Sequence, residues 1–509
     1  MSNPTQLHIE EDMNGGLPEG WTTAKLGDLC THPQYGWTTS ANKNGTGLKL
    51  LRTTDISGGT VNWSTVPACT RGPDDPQKYL LAPGDILVSR AGSVGLSYLV
   101  KECPEAIFAS YLIRFRPKPP LESEFIDLFL KSPQYWAAIA EEAAGIAIPN
   151  VNASKLKEIV VPLPPLSEQR RIVARLEDLF AGINVTKECL AKVSAILKRF
   201  RQAVLTAACS GGLTADWRKK NLDVEPASEF LTRIQQDKKK PKKAYLSSIG
   251  RDEDIYFDIP DSWSFCFFED ICSNKPHAIK AGPFGSSLTK SCYTPSGYKI
   301  YGQEQVIRGD ANYGDYYIDE KKFLELKSCE VEARDLLISL VGTIGKVLII
   351  PDKFQKGIIN PRLVKVSLHS EISSEYIAKY LVSPLAINMF QKDSHGGTME
   401  ILNLRMLKKL PIPLPPMIEQ HEIVRGVEAM FKLADAVEKR VAAATMRAEK
   451  LTQAVLAKAF RGELVPTEAE LARLEGRSYE TASELLSRIR SERTASQTSQ
   501  KARRNRICQ

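Results

Sequence analysis

The run Val161-Pro-Leu-Pro-Pro-Leu-Ser-Glu-Gln169 occurs a second time, with three substitutions, as Ile412-Pro-Leu-Pro-Pro-Met-Ile-Glu-Gln420. Each copy leads from a short apolar segment through a Pro-Pro turn into a long stretch with helical periodicity. Proline is well tolerated at the start of a helix, so the pair marks the place where each helix begins. The same turn and helix are therefore written twice in this chain.

Other matches occur in the same order along the two halves. They are Leu17-Pro-Glu-Gly-Trp21 with Ile259-Pro-Asp-Ser-Trp263, Asp85-Ile-Leu-Val-Ser89 with Asp335-Leu-Leu-Ile-Ser339, and Gln202-Ala-Val-Leu205 with Gln453-Ala-Val-Leu456. The spacing between partners stays between 242 and 251 residues, as small loop insertions would produce. Ordered matches at a fixed period predict an internal repeat. A tandem duplication without functional meaning is the alternative.

Each half divides into a globular part and a helical part. Short apolar runs bounded by turn residues predict α/β (α+β) domains with short strands, and 123–142 and 373–392 read as helices inside them. The predicted divisions are a first domain over 1–157, a helix region over 158–212, a basic polar linker over 213–257, a second domain over 258–408, a helix region over 409–462 and a polar tail over 463–509. In the tail we expect a short helix followed by disorder.

Apolar residues recur at alternating steps of three and four in both helix regions, which predicts a coiled coil. The seam in the first helix is Ile172, Leu176, Leu179, Ile183, Leu190, Val193, Leu197, Phe200 and Val204. The seam in the second is Ile423, Val427, Met430, Val437, Val441, Leu451 and Val455. We expect the two helices to be antiparallel partners in a pseudo-twofold arrangement. The alternative is two amphipathic helices packed on separate domain cores.

Composition and cysteine usage indicate a cytoplasmic globular protein. The net charge of +8 permits a polyanionic partner, and the ten cysteines include no Cys-x-x-Cys pair. The polar, acidic start is unlike a signal peptide, and no apolar run reaches the length of a membrane span.

Catalytic signatures appear only as near misses. Gly342-Thr-Ile-Gly-Lys346 lacks the spacing of a phosphate-binding loop, and His421-Glu-Ile-Val-Arg425 has arginine where a zinc protease has its second histidine. No Gly-x-Gly-x-x-Gly run follows a predicted strand. We therefore expect no catalytic residues, no metal site and no cofactor on this chain.

The whole pattern resembles the specificity subunits of type I restriction–modification enzymes. The resemblance extends from Leu17 to about Leu464. Its strongest marks are Val161–Arg170, Ile196-Leu-Lys-Arg-Phe-Arg-Gln-Ala-Val-Leu205 and Leu213-Thr-Ala-Asp-Trp-Arg218, with weaker counterparts at 413–420 and 453–462.

The resemblance implies a division of labour. Each globular part would be a target-recognition domain that reads one half of a bipartite, asymmetric DNA site. The long helices would be the spacer that docks two modification (methyltransferase) subunits. Restriction subunits, which are ATP-dependent translocases and nucleases, would join the complex. S-adenosylmethionine, ATP and Mg²⁺ are expected on those partners.

Candidate DNA-contacting residues are polar or planar side chains in the glycine-rich loops, because base edges require paired donors and close backbone approach. In the first domain they are Tyr35, Trp37, Thr39, Arg52, Thr53, Arg90 and Ser93. In the second they are Lys280, Ser286, Ser287, Lys290, Gln303, Gln305 and Lys346. The loops 47–55 and 297–305 align at a spacing of 250 residues, so we expect them at equivalent places.

Two other classes of function stay open on the sequence. One is a coiled-coil scaffold with two protein-binding modules, which would show no sequence-dependent DNA affinity. The other is a self-contained nuclease or methyltransferase with an unfamiliar site, which methylation or cleavage by the purified chain would reveal.

Overall fold

The computed structural model describes residues 16–143, 151–236, 257–284, 286–340, 346–392 and 404–491. The chain forms two units: the first contains residues up to 190 together with those from 443 onward, and the second contains residues 191–442. Both long helices are therefore shared between the units. The first runs over Leu166–Cys209 and the second over Met417–Ala459, as the sequence predicts.

The first unit contains ten strands and several short helices among its described residues. The strands are β1 (Thr22–Lys25), β2 (Gln34–Tyr35), β3 (Ala41–Asn42), β4 (Lys49–Leu51), β5 (Ala68–Cys69), β6 (Ile86–Ser89), β7 (Ser97–Leu99), β8 (Ala106–Phe108), β9 (Leu112–Phe115) and β10 (Val160–Leu163). The short helices are Leu26–Leu29, Thr53–Ile56, Pro76–Lys78, Ser123–Phe129, Pro133–Ala143, Ala153–Glu158, Glu468–Glu475 and residues 482–491.

The second unit repeats this plan. Its strands are β11 (Ser264–Phe267), β12 (Ile279–Ala281), β13 (Tyr298–Tyr301), β14 (Tyr317–Ile318), β15 (Leu336–Ser339), β16 (Val347–Ile349), β17 (Gly357–Ile359), β18 (Leu363–Val366) and β19 (Pro411–Leu414). Its short helices are Ala215–Lys220, Ala227–Gln236, Phe268–Ile271, Lys290–Cys292, Gln303–Arg308, Glu320–Glu325, Lys327–Cys329, Ser374–Leu381, Pro384–Lys392 and Leu404–Lys408.

The sheets of the two units match strand for strand at their centres. The antiparallel order β2-β9-β6-β7 in the first corresponds to β12-β18-β15-β16 in the second. A parallel pair accompanies each sheet, β4 with β8 and β13 with β17. The duplicated mixed α+β fold predicted from the sequence is confirmed.

A buried ion pair crosses the central strands of each antiparallel sheet. Asp85 lies 3.3 Å from the Arg114 guanidinium and 2.6 Å from that of Arg116. At the equivalent place Asp335 lies 3.9 Å from the Lys365 ammonium. Burial lowers the pKa of Arg114, and Asp85 opposes this effect. The Asp that opens each repeated apolar run therefore offsets a charge inside its own sheet.

The helices predicted over 123–142 and 373–392 are each two helices. A serine and a proline interrupt them at Ser132-Pro133 and Ser383-Pro384. Each serine hydroxyl accepts a hydrogen bond from a backbone N–H three residues later, of Tyr135 in one case and of Ala386 in the other. Serine capping followed by proline in the first turn starts a new helix, and this signal is local enough to be read from the sequence.

The long helices run antiparallel within each unit. In the first unit the start of the first helix shares a core with the end of the second, through Ile172, Leu176 and Leu456. In the second unit the end of the first helix shares a core with the start of the second, through Val204 and Ile423. There Arg201 also forms ion pairs with Asp435 (2.6 Å) and Glu438 (2.8 Å) of the facing helix.

Most of the predicted seam is buried or half-buried, but two positions are wrong. Met430 is 39% exposed and Leu451 is 52% exposed. Phe431, one residue after Met430, packs on the core instead, and its equivalent Phe180 does the same in the first unit. An α-helix has 3.6 residues per turn, so a strict 3.5-residue repeat drifts off the contact line unless the helix supercoils fully.

The segments after both long helices fold back onto a domain, which corrects the expected linker and tail. Phe230, Leu231 and Ile234 are buried in the core of the second unit, although they lie in the predicted linker. Leu485 and Ile489, in the predicted tail, are buried in the core of the first. The amphipathic spacing of these apolar residues was masked by charged neighbours. The Lys238–Lys243 run and the terminal basic run lie outside the described residues.

The repeated Trp and Glu motifs meet in a buried contact, which we term the interlock. In the first unit the Trp21 indole donates to the Glu168 carboxylate (2.9 Å), and the Glu468 backbone N–H donates to its other oxygen (2.8 Å). In the second, Trp263 donates to Glu419 (2.9 Å). The other oxygen of Glu419 accepts from Thr214 and Arg218, each at 2.6 Å. Each interlock joins a domain, a long helix and the segment that follows the other long helix.

Replacing Glu168 by Gln should destabilise the first unit. Burial raises the pKa of Glu168, and the hydrogen bonds from the Glu468 N–H and Trp21 partly offset this effect. An amide has a single acceptor oxygen, so one of the two donors loses its partner, at a cost of about 1–3 kcal/mol. Glu177→Gln is the control, because its exposed pair with Lys101 spans 3.5 Å. Urea unfolding should separate the two variants; equal midpoints would contradict the interlock.

Candidate nucleic-acid interface

A tight turn links a parallel and an antiparallel strand at the same place in both units. It is Ala109-Ser110-Tyr111 between β8 and β9, and Asn360-Pro361-Arg362 between β17 and β18. These two segments lie 251 residues apart. We name them the first and second recognition turns.

A glycine seats the preceding segment against each recognition turn. A Cβ on Gly36 would lie 2.3 Å from the carbonyl oxygen of Ala109, and one on Gly282 would lie 1.9 Å from that of Asn360. Real Cβ atoms essentially never approach a backbone oxygen so closely. Only glycine therefore lets the chain that follows β2 or β12 pass over the turn.

Tyr35 and Arg90 meet beside the first recognition turn. The Arg90 guanidinium lies 5.0 Å from the centre of the Tyr35 ring, within cation–π range. The Arg90 backbone N–H donates to the carbonyl of Tyr111 (2.9 Å), and the Tyr35 hydroxyl accepts from the N–H of Ala153 (3.0 Å). Within the described part of the chain, the Nε of Arg90 is buried and has no hydrogen-bond partner. The structure thus groups a partly exposed cation with an aromatic ring.

Trp37 and Thr39 continue the same surface beyond Gly36. The Trp37 indole donates to the carbonyl of Arg71 (3.0 Å) and packs edge-on against Tyr79. The Thr39 hydroxyl accepts from the Arg71 N–H (3.3 Å). Both side chains thereby order the loop that carries Arg71.

Arg52 lies near the first recognition turn, but its guanidinium is engaged. Two hydrogen bonds of 2.9 and 2.8 Å join it to Asp55, and they raise the pKa of Arg52. The neighbouring Thr53 hydroxyl is buried and has no hydrogen-bond partner among the described residues, and Ser93 is exposed on the loop after β6. Because Asp55 offsets its charge, Arg52 is a weaker candidate for a base contact than Arg90.

Gln303 contacts the second recognition turn, and Lys346 contacts the far end of the helix that Gln303 begins. The Gln303 amide donates to the hydroxyl of buried Ser339 (2.9 Å), and its oxygen accepts from Arg362 (3.3 Å). The Lys346 ammonium donates to the carbonyl of Ile307 (3.4 Å), at the end of the helix that begins at Gln303. Two cations, Arg362 and Lys346, therefore contact the two ends of this short helix.

The remaining candidates of the second domain are spread more widely. Gln305 is buried, and its amide bonds the Gly302 N–H (2.9 Å) and the Tyr313 carbonyl (2.7 Å), so its role is to cap a helix. Lys280 lies within β12 opposite Lys365, away from the turn. Ser286, Ser287 and Lys290 follow Gly282 along its loop, with Ser286 and Lys290 exposed.

No metal centre is formed by the described residues, in which no three His, Cys, Asp or Glu side chains cluster suitably. The described helices also include none that is long and apolar enough to cross a membrane.

Comparison with known proteins identifies the family. Residues 18–195 and 279–444 match the type I restriction modification DNA specificity domain, which covers more than half of the chain. The chain belongs to this family. It is 29% identical over 511 residues to the EcoBI specificity subunit of Escherichia coli, spanning 96% of each chain. It is 29% identical over 506 residues to the EcoKI specificity subunit of Escherichia coli strain K12, spanning 95% of this chain and 97% of that one.

A solved chain from a type I restriction–modification system has the same fold. It covers 88% of this chain and 99% of its own length, with a TM-score of 0.61. Its sequence identity of 20% means that this likeness speaks for the fold alone.

Three exposed side chains, two on the recognition turns and one shortly after Gly282, were not predicted from the sequence. Tyr111 is 61% exposed, Phe284 is 90% exposed two residues after Gly282, and Arg362 is exposed on the second turn. Alignment of the two halves of the repeat could have identified two of these residues. Tyr111 and Arg362 occupy equivalent positions in the aligned runs 106–115 and 357–366, so their difference stands out once the halves are aligned.

Replacing Gly36 by Ala should destabilise the first unit through the clash with Ala109. Overpacking of this kind costs about 1–3 kcal/mol. Gly58→Ala is the matched control in the same unit, because no atom lies within 4 Å of its added Cβ. Thermal unfolding of both variants is the measurement. A Gly36→Ala variant as stable as the Gly58→Ala variant would show that the glycine does not seat the turn.

Proposed function

We propose that the chain is the DNA-sequence-specificity subunit of a type I restriction–modification complex and that its two domains read the two halves of a bipartite, asymmetric site. The main support for this proposal is that the two units share one framework but present different side chains at equivalent turns. Gly36 and Gly282 serve the same purpose, whereas Tyr111 and Arg362 differ. Two similar frameworks that present different surfaces suit two different half-sites.

We further propose that the chain is not catalytic and holds no cofactor. Its sequence contains none of the phosphate-loop, dinucleotide-binding or zinc-protease patterns that such chemistry uses. Modification subunits would supply S-adenosylmethionine chemistry, and restriction subunits would use ATP and Mg²⁺, on DNA in the cytoplasm. No comparison supports the alternative of a protein-binding scaffold.

Exposed apolar side chains on the long helices support partner docking. In the second unit the second helix exposes Met430 and Leu433, three residues apart, and Ile418 near its start. In the first unit it exposes Met446 and Leu451. Neighbouring exposed apolar side chains such as Met430 and Leu433 are typical of surfaces that another protein covers. We propose that these faces contact the modification subunits.

The proposed function is tested by reconstitution. The purified chain should neither methylate nor cut DNA, whereas addition of its modification subunit and S-adenosylmethionine should give methylation at one bipartite sequence. Each component alone is the control. Methyl transfer by this chain without a partner, or no sequence-dependent methylation by the complex, would contradict the proposal.

Arg90→Ala should weaken binding of target DNA by about 1–3 kcal/mol, the range for a bidentate base contact. Arg52→Ala is the matched control, because Asp55 already engages that guanidinium. Titration of the complex with target and with scrambled duplex measures both. If the loss with Arg90→Ala is uniform across sequences, Arg90 contacts phosphate instead. If Arg52→Ala alone relaxes specificity, the assignment is reversed.

A further inference from the structure

The second recognition turn carries a cation whose position the protein controls. Arg362 is exposed, and within the described part of the chain no carboxylate pairs with it. Two other arginines of this unit have acidic partners: Arg334 bonds Glu375 at 2.6 Å, and Arg218 bonds Glu419 at the same distance. An unpaired guanidinium on a rigid turn is available for a ligand.

A polar relay fixes the direction of this guanidinium. Ser339 is fully buried at the end of β15, and its hydroxyl accepts from the Gln303 amide (2.9 Å). The oxygen of that amide accepts from Nη1 of Arg362 (3.3 Å). Arginine has five N–H donors in a planar fork, so this contact leaves donors for a second partner. This pair of hydrogen bonds restricts the rotamers of Arg362 and leaves its other guanidinium N–H groups available as donors.

The backbone of the turn adds rigidity. The Arg362 N–H donates to the side chain of Asn360 (3.0 Å), and its carbonyl accepts from the Leu340 N–H (3.0 Å). Gly282 closes on the same turn, and the exposed Phe284 follows Gly282 by two residues. A fixed guanidinium has the donor geometry that matches the paired acceptors of a nucleobase edge.

We propose that Arg362 reads a guanine in one half-site, donating to its O6 and N7, and that Gln303 is the residue that positions it. Arginine paired with the O6 and N7 of guanine is the commonest specific contact in the major groove. This inference rests on the proposed function. The equivalent residue of the first unit is Tyr111, which cannot make this contact, so this contact belongs to the half-site of the second domain.

The test is a methylation map of the chain reconstituted with its modification subunit, for the wild type and for Arg362→Ala. The variant should accept other bases at one G·C position of one half-site, with discrimination there reduced on the order of tenfold to a hundredfold. Arg362→Lys should relax the same position, because an ammonium keeps the charge but lacks the fork. Gln303→Ala should relax it less, and should add nothing in the Arg362→Ala background.

Lys353→Ala is the control. Lys353 is exposed three residues after Ile350. The Ile350 N–H donates to the carbonyl of Asp335, which precedes β15, whereas Ser339 is at the other end of that strand. It should leave the map unchanged, and equal thermal midpoints for all variants show that the fold is kept.

Three results would overturn the inference. One is an unchanged target for Arg362→Ala, and another is a loss that is equal at every sequence, which indicates a phosphate contact. The third is loss of partner binding with DNA binding intact, which indicates an acidic protein surface. If the wild-type complex itself methylates no defined sequence, the proposed function fails instead, so the two failures are distinguishable.

Discussion

The structure depends on a buried carboxylate that appears twice. Glu168 and Glu419 each lie at the start of a long helix and accept hydrogen bonds from a tryptophan at the start of a domain. The remaining oxygen accepts from the segment that follows the other long helix. Burying a carboxylate is costly unless donors satisfy it, so each site is stable only when all three pieces are present. This requirement explains why the tryptophan and Glu-Gln motifs, distant in sequence, recur together.

The repeat separates what must stay the same from what can differ. The motifs common to both halves form strand pairs, interlocks and sheet ion pairs, all of them inside the protein. The recognition turns share a backbone and a seating glycine, yet one presents Tyr111 and the other Arg362. The side chains of Tyr111 and Arg362 are exposed and take no part in those buried contacts. A scaffold of this kind can take on new DNA targets without a new fold.

Much of the fold could be predicted from the sequence because each pattern in one half could be compared with the equivalent positions of the other half. The long helices, the central strands and the equivalence of loops 47–55 and 297–305 followed directly: both loops lead from a strand into a short helix, at Thr53 and at Gln303. The surroundings of individual side chains, including the candidate DNA-contacting residues, were harder to predict. The engagement of Arg52 by Asp55, the burial of Gln305 and the exposure of Met430 depend on side-chain neighbours and helix twist, which composition and spacing do not encode. The packing of 482–491 on the first domain joins residues that are far apart in sequence, and the amphipathic spacing of this segment does not specify which domain it packs on.

We propose that each domain supplies one half of a two-part target through its own turns. The most direct measurement is methylation mapping after residues 16–157 are replaced by the corresponding domain of a family member with a different target, with Trp21 kept for the interlock. One half-site should change to that of the donor while the other half-site stays as it was. A change in both half-sites, or in neither, from a folded and active complex would contradict the assignment of one domain to each half-site.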